Sequence, residues 1–358
     1  MRSYLDHYIG GQWVESEGGA RHQVINPATE APVAEITLGS QADVDKAVAA
    51  AKAAFDSFAR TSVEERAALL EAILADSATA VGAAALLGLL VGSFLNVVIL
   101  RLPPRLFWAW RRDARELLEQ PADPEPAPPG LVLARSACPH CGHRLAWYEN
   151  LPILSWLVLR GACRACKAPI SVQYPVVEAL TALVFALCVW RFGVGLEAAS
   201  ALVFSALLIA LAGIDWRTKY LPDNLTYPLL WLGLLASLMT LHVPPQQAIL
   251  GALLGYLSLW TVYHGFRLAT GKEGMGYGDF KLLAALGAWC GATAILPIVL
   301  LSSLVGAIIG GIGLAVQGRD RATPIPFGPF LAIAGGIWFL FGTELMALYW
   351  GLMLPAAG

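Results

Sequence analysis

Two cysteine pairs, Cys138-Pro-His-Cys141 and Cys163-Arg-Ala-Cys166, stand 21 residues apart. Thiolates two residues apart on tight turns can close a tetrahedral site around Zn²⁺, because the short gap lets neighbouring backbone N–H groups face the sulfurs. That spacing points to a metal site rather than a disulfide framework. His140 and His143 flank the first pair; they are alternative ligands but read better as surface residues of the knuckle. Four acids sit at the ends of apolar runs: Glu178, Asp215, Asp223 and Asp279. Ionisable groups at membrane depth are costly and mark function by default. Asp215 and Asp279 are 64 residues apart; Asp215 ends one span and Asp279 opens another, and the two spans between them carry the chain out and back, so both fall at helix ends on the same side. Two carboxylates at close range cannot both ionise easily, so one keeps a proton while the other acts as base toward a shared water, as an aspartic peptidase requires. Gly276 and Gly278, just before Asp279, remove Cβ atoms and allow a peptide backbone to approach the acid. In the other reading, Asp223 and Asp279 only cap helices and Asp215 pairs with Arg217 or Lys219.

The elements that must position these groups lie in a membrane. Apolar residues make up 57% of the 358-residue chain and charged residues 14%, against roughly 45–50% and about 25% in ordinary soluble domains. Uncharged runs at about 81–100, 176–190, 198–214, 225–241, 248–266, 280–293, 295–316 and 328–354 predict about eight transmembrane helices in an all-α polytopic protein. The run from Phe280 to Val316 is divided by Gly-rich turns. Ten Lys/Arg follow the first span, and Arg217 with Lys219, Arg267 with Lys272 and Lys281, and Arg319 with Arg321 mark the alternate loops. Bases collect on the cytoplasmic side, which puts that loop and both aspartates there and both termini on the other side. Cys188 and Cys290, isolated inside spans, serve as small apolar residues.

The net charge of −2 hides an acidic head, with 12 acids and 6 bases over residues 1–80. No nucleic-acid partner is indicated. The head lacks the apolar core of a signal peptide and reads as a small soluble α+β fragment. Residues 7–14 and 32–38 are expected as strands around the turn Asn26 to Glu30, with helices over about 44–58 and 63–75. After the first span, residues 104–119 read as a basic interfacial helix with Trp108 and Trp110 toward lipid, or as a solvated helix leaving the membrane. Five prolines between 121 and 129 predict an extended spacer before the cysteines. The expected organisation is a fragment over 1–75, the first span over 76–101, a cytoplasmic zinc-binding loop domain over 102–175 and a membrane core over 176–358.

From about Ala80 to Pro355 the chain resembles the type IV prepilin peptidases. The matching stretches are G-S-F-L-N-V-V-I-x-R-L-P at 92–103, the two cysteine pairs, I-S-x-x-Y-P-x-V-E ending at Glu178, I-D-x-x-x-x-x-L-P-D at 214–223, G-K-E-G-M-G-Y-G-D-F-K-L-L at 271–283 and P-I-P-F-G-P at 324–329. The resemblance implies an enzyme of the bacterial inner membrane that removes the basic leader of type IV prepilins and type II secretion pseudopilins at the cytoplasmic face. It implies N-methylation of the new terminus from S-adenosylmethionine as well. Asp215 and Asp279 would be catalytic, Asp223, Gly276, Gly278, Lys281 and Glu178 supportive, and Cys138, Cys141, Cys163 and Cys166 ligands of a structural Zn²⁺. No glycine loop locates the methyl-donor site; Gly161 and Glu178, near the cysteines, are its candidates. Residues 1–75 are similar to the opening of an aldehyde dehydrogenase, through G-x-W, I-N-P-A-T and D-V-D-x-A-V, but no dehydrogenase cofactor site or nucleophilic cysteine follows. The acidic head departs from the peptidase pattern and is read as a fusion. A membrane transporter with functional carboxylates and a different G-x-G-D protease remain as rivals; neither accounts for the paired cysteines.

Overall fold

The computed structural model describes residues 2–25, 32–75, 77–121, 123–132, 134–272, 274–317 and 326–353. The chain divides into two units, Met1–Ile73 and Leu74–Gly358. The first contains β1 (Arg2–Tyr4), β2 (Asp6–Ile9), β3 (Gln12–Glu15), β4 (Arg21–Ile25), β5 (Pro32–Thr37), α1 (Gln41–Phe58) and the start of α2 (Val63–Ala75). Residues 7–14 are not one strand. Gly10 and Gly11 take φ of 61° and 83°, which glycine adopts without a Cβ penalty, and the chain reverses there into the β2–β3 hairpin. β5 pairs with β1 in parallel and with β4 antiparallel. The expected turn from Asn26 to Glu30 lies outside the described residues. Ser40 starts α1 with a capping box, its hydroxyl accepting from the Asp43 N–H at 3.2 Å while the Asp43 carboxylate accepts from the Ser40 N–H at 2.8 Å.

The second unit contains α3 (Ser77–Leu117), α4 (Leu154–Val158), α5 (Gln173–Phe192), α6 (Leu196–Thr218), α7 (Asp223–Leu238), α8 (Pro245–Thr270), α9 (Tyr277–Cys290), α10 (Ile295–Gln317) and α11 (Gly328–Met353). A helix occupies each of the eight apolar runs. Among the described residues six are long and apolar enough to cross a membrane, within α3, α5, α6, α8, Ala292–Ile309 and α11. α7 and α9 have 16 and 14 residues, about 24 and 21 Å against a hydrocarbon layer of about 30 Å. Gly291, at φ 84°, ends α9 and divides the long run from 280 to 316.

Short α9 forms the centre. Asp279, Phe280 and every residue from Leu282 to Trp289 are buried, so this helix is covered all round rather than along one stripe. Two glycines let α8 approach it: a Cβ at Gly287 would lie 2.1 Å from the Gly251 carbonyl oxygen, and one at Gly251 would lie 2.2 Å from that of Gly287. Small residues at such a crossing let backbones touch, the usual device where lipid supplies no hydrophobic drive between helices. The Trp289 indole N–H donates to the Leu229 carbonyl at 2.8 Å and ties α9 to α7.

α3 decides between the two readings of residues 104–119. It runs for 41 residues through Pro103 and Pro104, so residues 104–117 continue the first span as a helix leaving it and do not form a separate interfacial helix. The proline-rich spacer folds back along it. Arg101 donates to the Gly130 and Ala134 carbonyls at 2.9 Å, Arg105 to that of Pro128 at 2.7 Å and Arg115 to that of Pro121 at 3.2 Å. Trp108 donates its indole N–H to the Glu125 carbonyl at 3.0 Å, and Trp110, exposed at 45%, packs edge-on against Tyr220 at 5.3 Å between centroids. The spacer is extended but pinned, because the arginines satisfy carbonyls that a proline-rich strand cannot pair for itself.

Candidate active site and metal centre

Asp215 occupies the last turn of α6 and Asp279 the first turn of α9. Both are buried, at 4% and 8% exposure. Lys219 takes a left-handed conformation at φ 55° and ends α6, its N–H donating to the Asp215 carbonyl at 2.8 Å. Leu221 follows, and Pro222 restricts it to extended backbone before α7 begins. Its side chain packs against Gly278 and Gly328, the glycines beside the two acids: a Cβ at Gly278 would lie 2.8 Å from Leu221 Cβ, and one at Gly328 would lie 3.1 Å from Leu221 Cδ1. The Gly328 N–H donates to Asp215 Oδ2 at 3.0 Å, while the Asp279 carboxylate is held by the backbone of Gly276. The two carboxylates lie within electrostatic reach of each other. Among the described residues no cation pairs with Asp215: the Arg217 guanidinium donates to Gln173 Oε1 at 2.8 Å instead. Two buried acids in one site, neither with an ion-pair partner among the described residues, suit an exchange of one proton.

Gly328 and Leu221 were not singled out from the sequence. The usable signal is the P-I-P-F-G-P stretch at 324–329 that opens an apolar run, of which Pro324 and Ile325 lie outside the described residues. Asp223 and Lys281 meet each other, with Lys281 Nζ 2.7 Å and 2.9 Å from the Asp223 oxygens and 5.0 Å from the centroid of the Tyr227 ring. Around Gly276, a Cβ would meet Asp279 Oδ2 at 3.9 Å and otherwise little, so the space beside that carboxylate is open. Glu178 is elsewhere: it is buried on α5 against α3 and accepts from the Ile153 N–H at 2.7 Å. Gly161, at φ 66°, lies under the indole of Trp156, where a Cβ would come within 2.9 Å of the ring.

Cys138, Cys141, Cys163 and Cys166 offer sulfurs that all lie within 4.8 Å of one another. The two knuckles are built alike. The fourth residue after each leading cysteine, Gly142 or Lys167, takes positive φ of 71° or 60° and donates its N–H to the carbonyl of Cys138 or Cys163 at 2.9 Å. N–H groups of Cys141 and His140 pull the Cys138 thiol down to about 7, and those of Cys166 and Ala165 lower Cys163. The His143 N–H favours the Cys141 thiolate, but burial and the three neighbouring thiols together outweigh it and push that thiol up to about 11; four soft sulfur donors in one compact set fit a tetrahedral Zn²⁺. His143 is engaged otherwise, with its Nε2 3.1 Å from Glu149 Oε2.

Family comparisons agree with this division of the chain. Residues 86–192 match the bacterial peptidase A24 N-terminal domain, residues 202–311 the type IV leader peptidase family, and residues 13–79 the aldehyde dehydrogenase family. The prepilin leader peptidase/N-methyltransferase of Xanthomonas campestris pv. campestris is 60% identical over 267 residues, covering 75% of this chain and 93% of that protein. Proteins of the same name from Stutzerimonas stutzeri and Pseudomonas aeruginosa are 51% and 52% identical, each over 74% of this chain and over 92% and 91% of their own lengths. No solved structure matches. With both A24 segments in order around the buried acids and the cysteine cluster, the chain belongs to the type IV leader peptidase family of membrane peptidases.

Proposed function

We propose that this chain is a prepilin leader peptidase with N-methyltransferase activity, acting on type IV prepilins and type II secretion pseudopilins in the bacterial inner membrane. The observation that carries the peptidase assignment is that Asp215 from α6 and Asp279 from α9 are both buried and lie within electrostatic reach of each other. One carboxylate takes a proton from water while the other gives one to the scissile carbonyl oxygen; hydroxide adds to the carbon, and the departing amine leaves protonated. The Gly328 N–H holds Asp215 Oδ2 in place. The open space at Gly276 admits the extended peptide. The basic loops favour a cytoplasmic location for both acids and for the cysteine cluster.

Zn²⁺ held by Cys138, Cys141, Cys163 and Cys166 would lock the two knuckles as a structural site. For the second activity, S-adenosylmethionine supplies a methyl carbon whose bond to sulfur breaks as the new pilin amine bonds to it, the electron pair passing to sulfur and the amine proton to water. The head over residues 1–75 is proposed to be an aldehyde-dehydrogenase-like fusion that takes no part in either reaction. The test is purified full chain in detergent with a prepilin and labelled S-adenosylmethionine, read on one gel. Loss of the leader and label in the mature pilin are expected; an intact prepilin with a well-folded enzyme overturns the assignment.

A further inference from the structure

The segment from Trp147 to Arg160 exposes apolar side chains away from the acids and the cysteine sulfurs. Leu154, Leu157 and Val158 recur three and four residues apart and so share one face of α4. All three are exposed, Val158 at 80%, and so are Trp147 and Leu151 just before the helix. The other face of α4 is occupied. Ser155, Trp156 and Leu159 turn toward the space between the cysteine loop, α3 and α5, and the Trp156 N–H donates to the Ile170 carbonyl at 3.2 Å. An exposed apolar patch of this kind marks a surface with a partner.

Its depth identifies that partner. Ile153 takes φ of 59°, which a β-branched residue adopts only where its surroundings hold it. The hold is the Glu178 carboxylate, which accepts the Ile153 N–H at 2.7 Å and also bonds Ser93. Glu178 is in the second turn of α5, which begins at Gln173, about 7 Å along the helix axis. Ser93 lies within the uncharged run of α3 from 81 to 100. The start of α4 is therefore tethered to two spans inside their apolar stretches, where an exposed side chain meets lipid rather than water. The charges agree with this. Arg135, Arg144, Arg160, Arg164 and Lys167 are exposed, whereas Glu149, the acid of this loop, is buried against His143. Among the described residues none of those five bases forms an ion pair. Bases beside an apolar face, with Trp147 and Tyr148 at its edge, suit anionic headgroups above acyl chains.

We propose that α4 and the residues before it enter the bilayer as an interfacial anchor, with the apolar face among acyl chains and the bases on anionic phospholipid headgroups. The anchor needs only the membrane unit and neither of the activities proposed above. The test puts a photoreactive phenylalanine analogue in place of Val158 in the full chain, held in nanodiscs of equal parts phosphatidylcholine and phosphatidylglycerol. Irradiation is expected to add the mass of a phospholipid to the peptide containing position 158, with phosphatidylglycerol exceeding phosphatidylcholine by about fivefold where one base acts. Arg160→Gln combined with Lys167→Gln should bring the two lipids toward equal yield. A chain with a normal thermal midpoint that gains no lipid overturns the anchor, and crosslinking to added prepilin in place of lipid overturns it by giving the face to the substrate. Equal yields of the two lipids before any base is replaced overturn the headgroup contact. If the chain carrying the analogue at 158 does not fold, the same analogue in place of Leu154 repeats the measurement with the same outcomes.

Discussion

Buried carboxylates occur in both units, and their surroundings differ. In the head, Asp43 accepts from the Ser16 hydroxyl at 2.5 Å, the Glu17 N–H at 2.9 Å and the Ser40 N–H and hydroxyl at 2.8 Å. Those donors hold it well below the usual carboxylate range and leave nothing for a substrate. In the membrane unit Asp215 has one backbone N–H and Asp279 has the backbone of Gly276, with open space beside it. Burial is common to all three. What separates a structural acid from a reactive one is how many donors already hold it, because a carboxylate saturated with hydrogen bonds cannot exchange a proton cheaply.

The strongest way to break this contrast is substitution at the under-satisfied pair. Asp215→Asn or Asp279→Asn should each lower prepilin cleavage at least about 10³-fold, and the double variant should be little worse, since the pair works as one unit. Cleavage followed by gel shift checks both; near-normal activity in either single variant would remove the dyad. Wild-type activity should fall on both sides of an optimum, with two apparent pKa values that belong to the pair. Next in size is Gly328→Ala, whose Cβ would lie 2.6 Å from Asp215 Oδ2. Displacing that carboxylate should cost about 10²-fold in kcat with little change in KM, and a normal kcat would deny Gly328 any positioning role.

The metal loop sharpens the comparison from a third region. Cys138→Ser combined with Cys141→Ser should reduce zinc from about one ion per chain to near none and make residues 130–170 sensitive to protease, both measurable on purified protein. Metal content equal to wild type would show that the sulfurs are not ligands. The smallest effects belong to the head. Asp43→Asn should destabilise only that unit and leave cleavage unchanged, and a chain begun at residue 76 should cleave as well as the full chain. Because the folded pKa of Asp43 is depressed, its contribution is present above the ordinary value of 3.8 and is lost as pH falls through the lower folded value. Proteolysis of the head against pH reads this; a head that weakens as pH rises would have the wrong sign.

Residue type and spacing alone carried the cysteine knuckles, the eight apolar runs and the placing of Asp215 and Asp279 at helix ends, because each is a local pattern: a two-residue gap, an uncharged stretch of sufficient length, an acid at its boundary. The division at Gly291 was legible for the same reason. What the sequence could not assign is decided between residues far apart in the chain. Gly328 reaches Asp215 across 113 positions, Lys281 takes Asp223 across 58, and Leu221 packs against both Gly278 and Gly328 only because distant helix ends meet there. The proline pair in α3 reads locally as a break, yet the helix continues, with arginines on either side tying the returning spacer to it. The β2–β3 turn was missed at Gly10 and Gly11, where a local signal did exist. Spacing states which groups are available, whereas the donors and neighbours that make one carboxylate inert and another reactive come from other segments, and only packing brings those together.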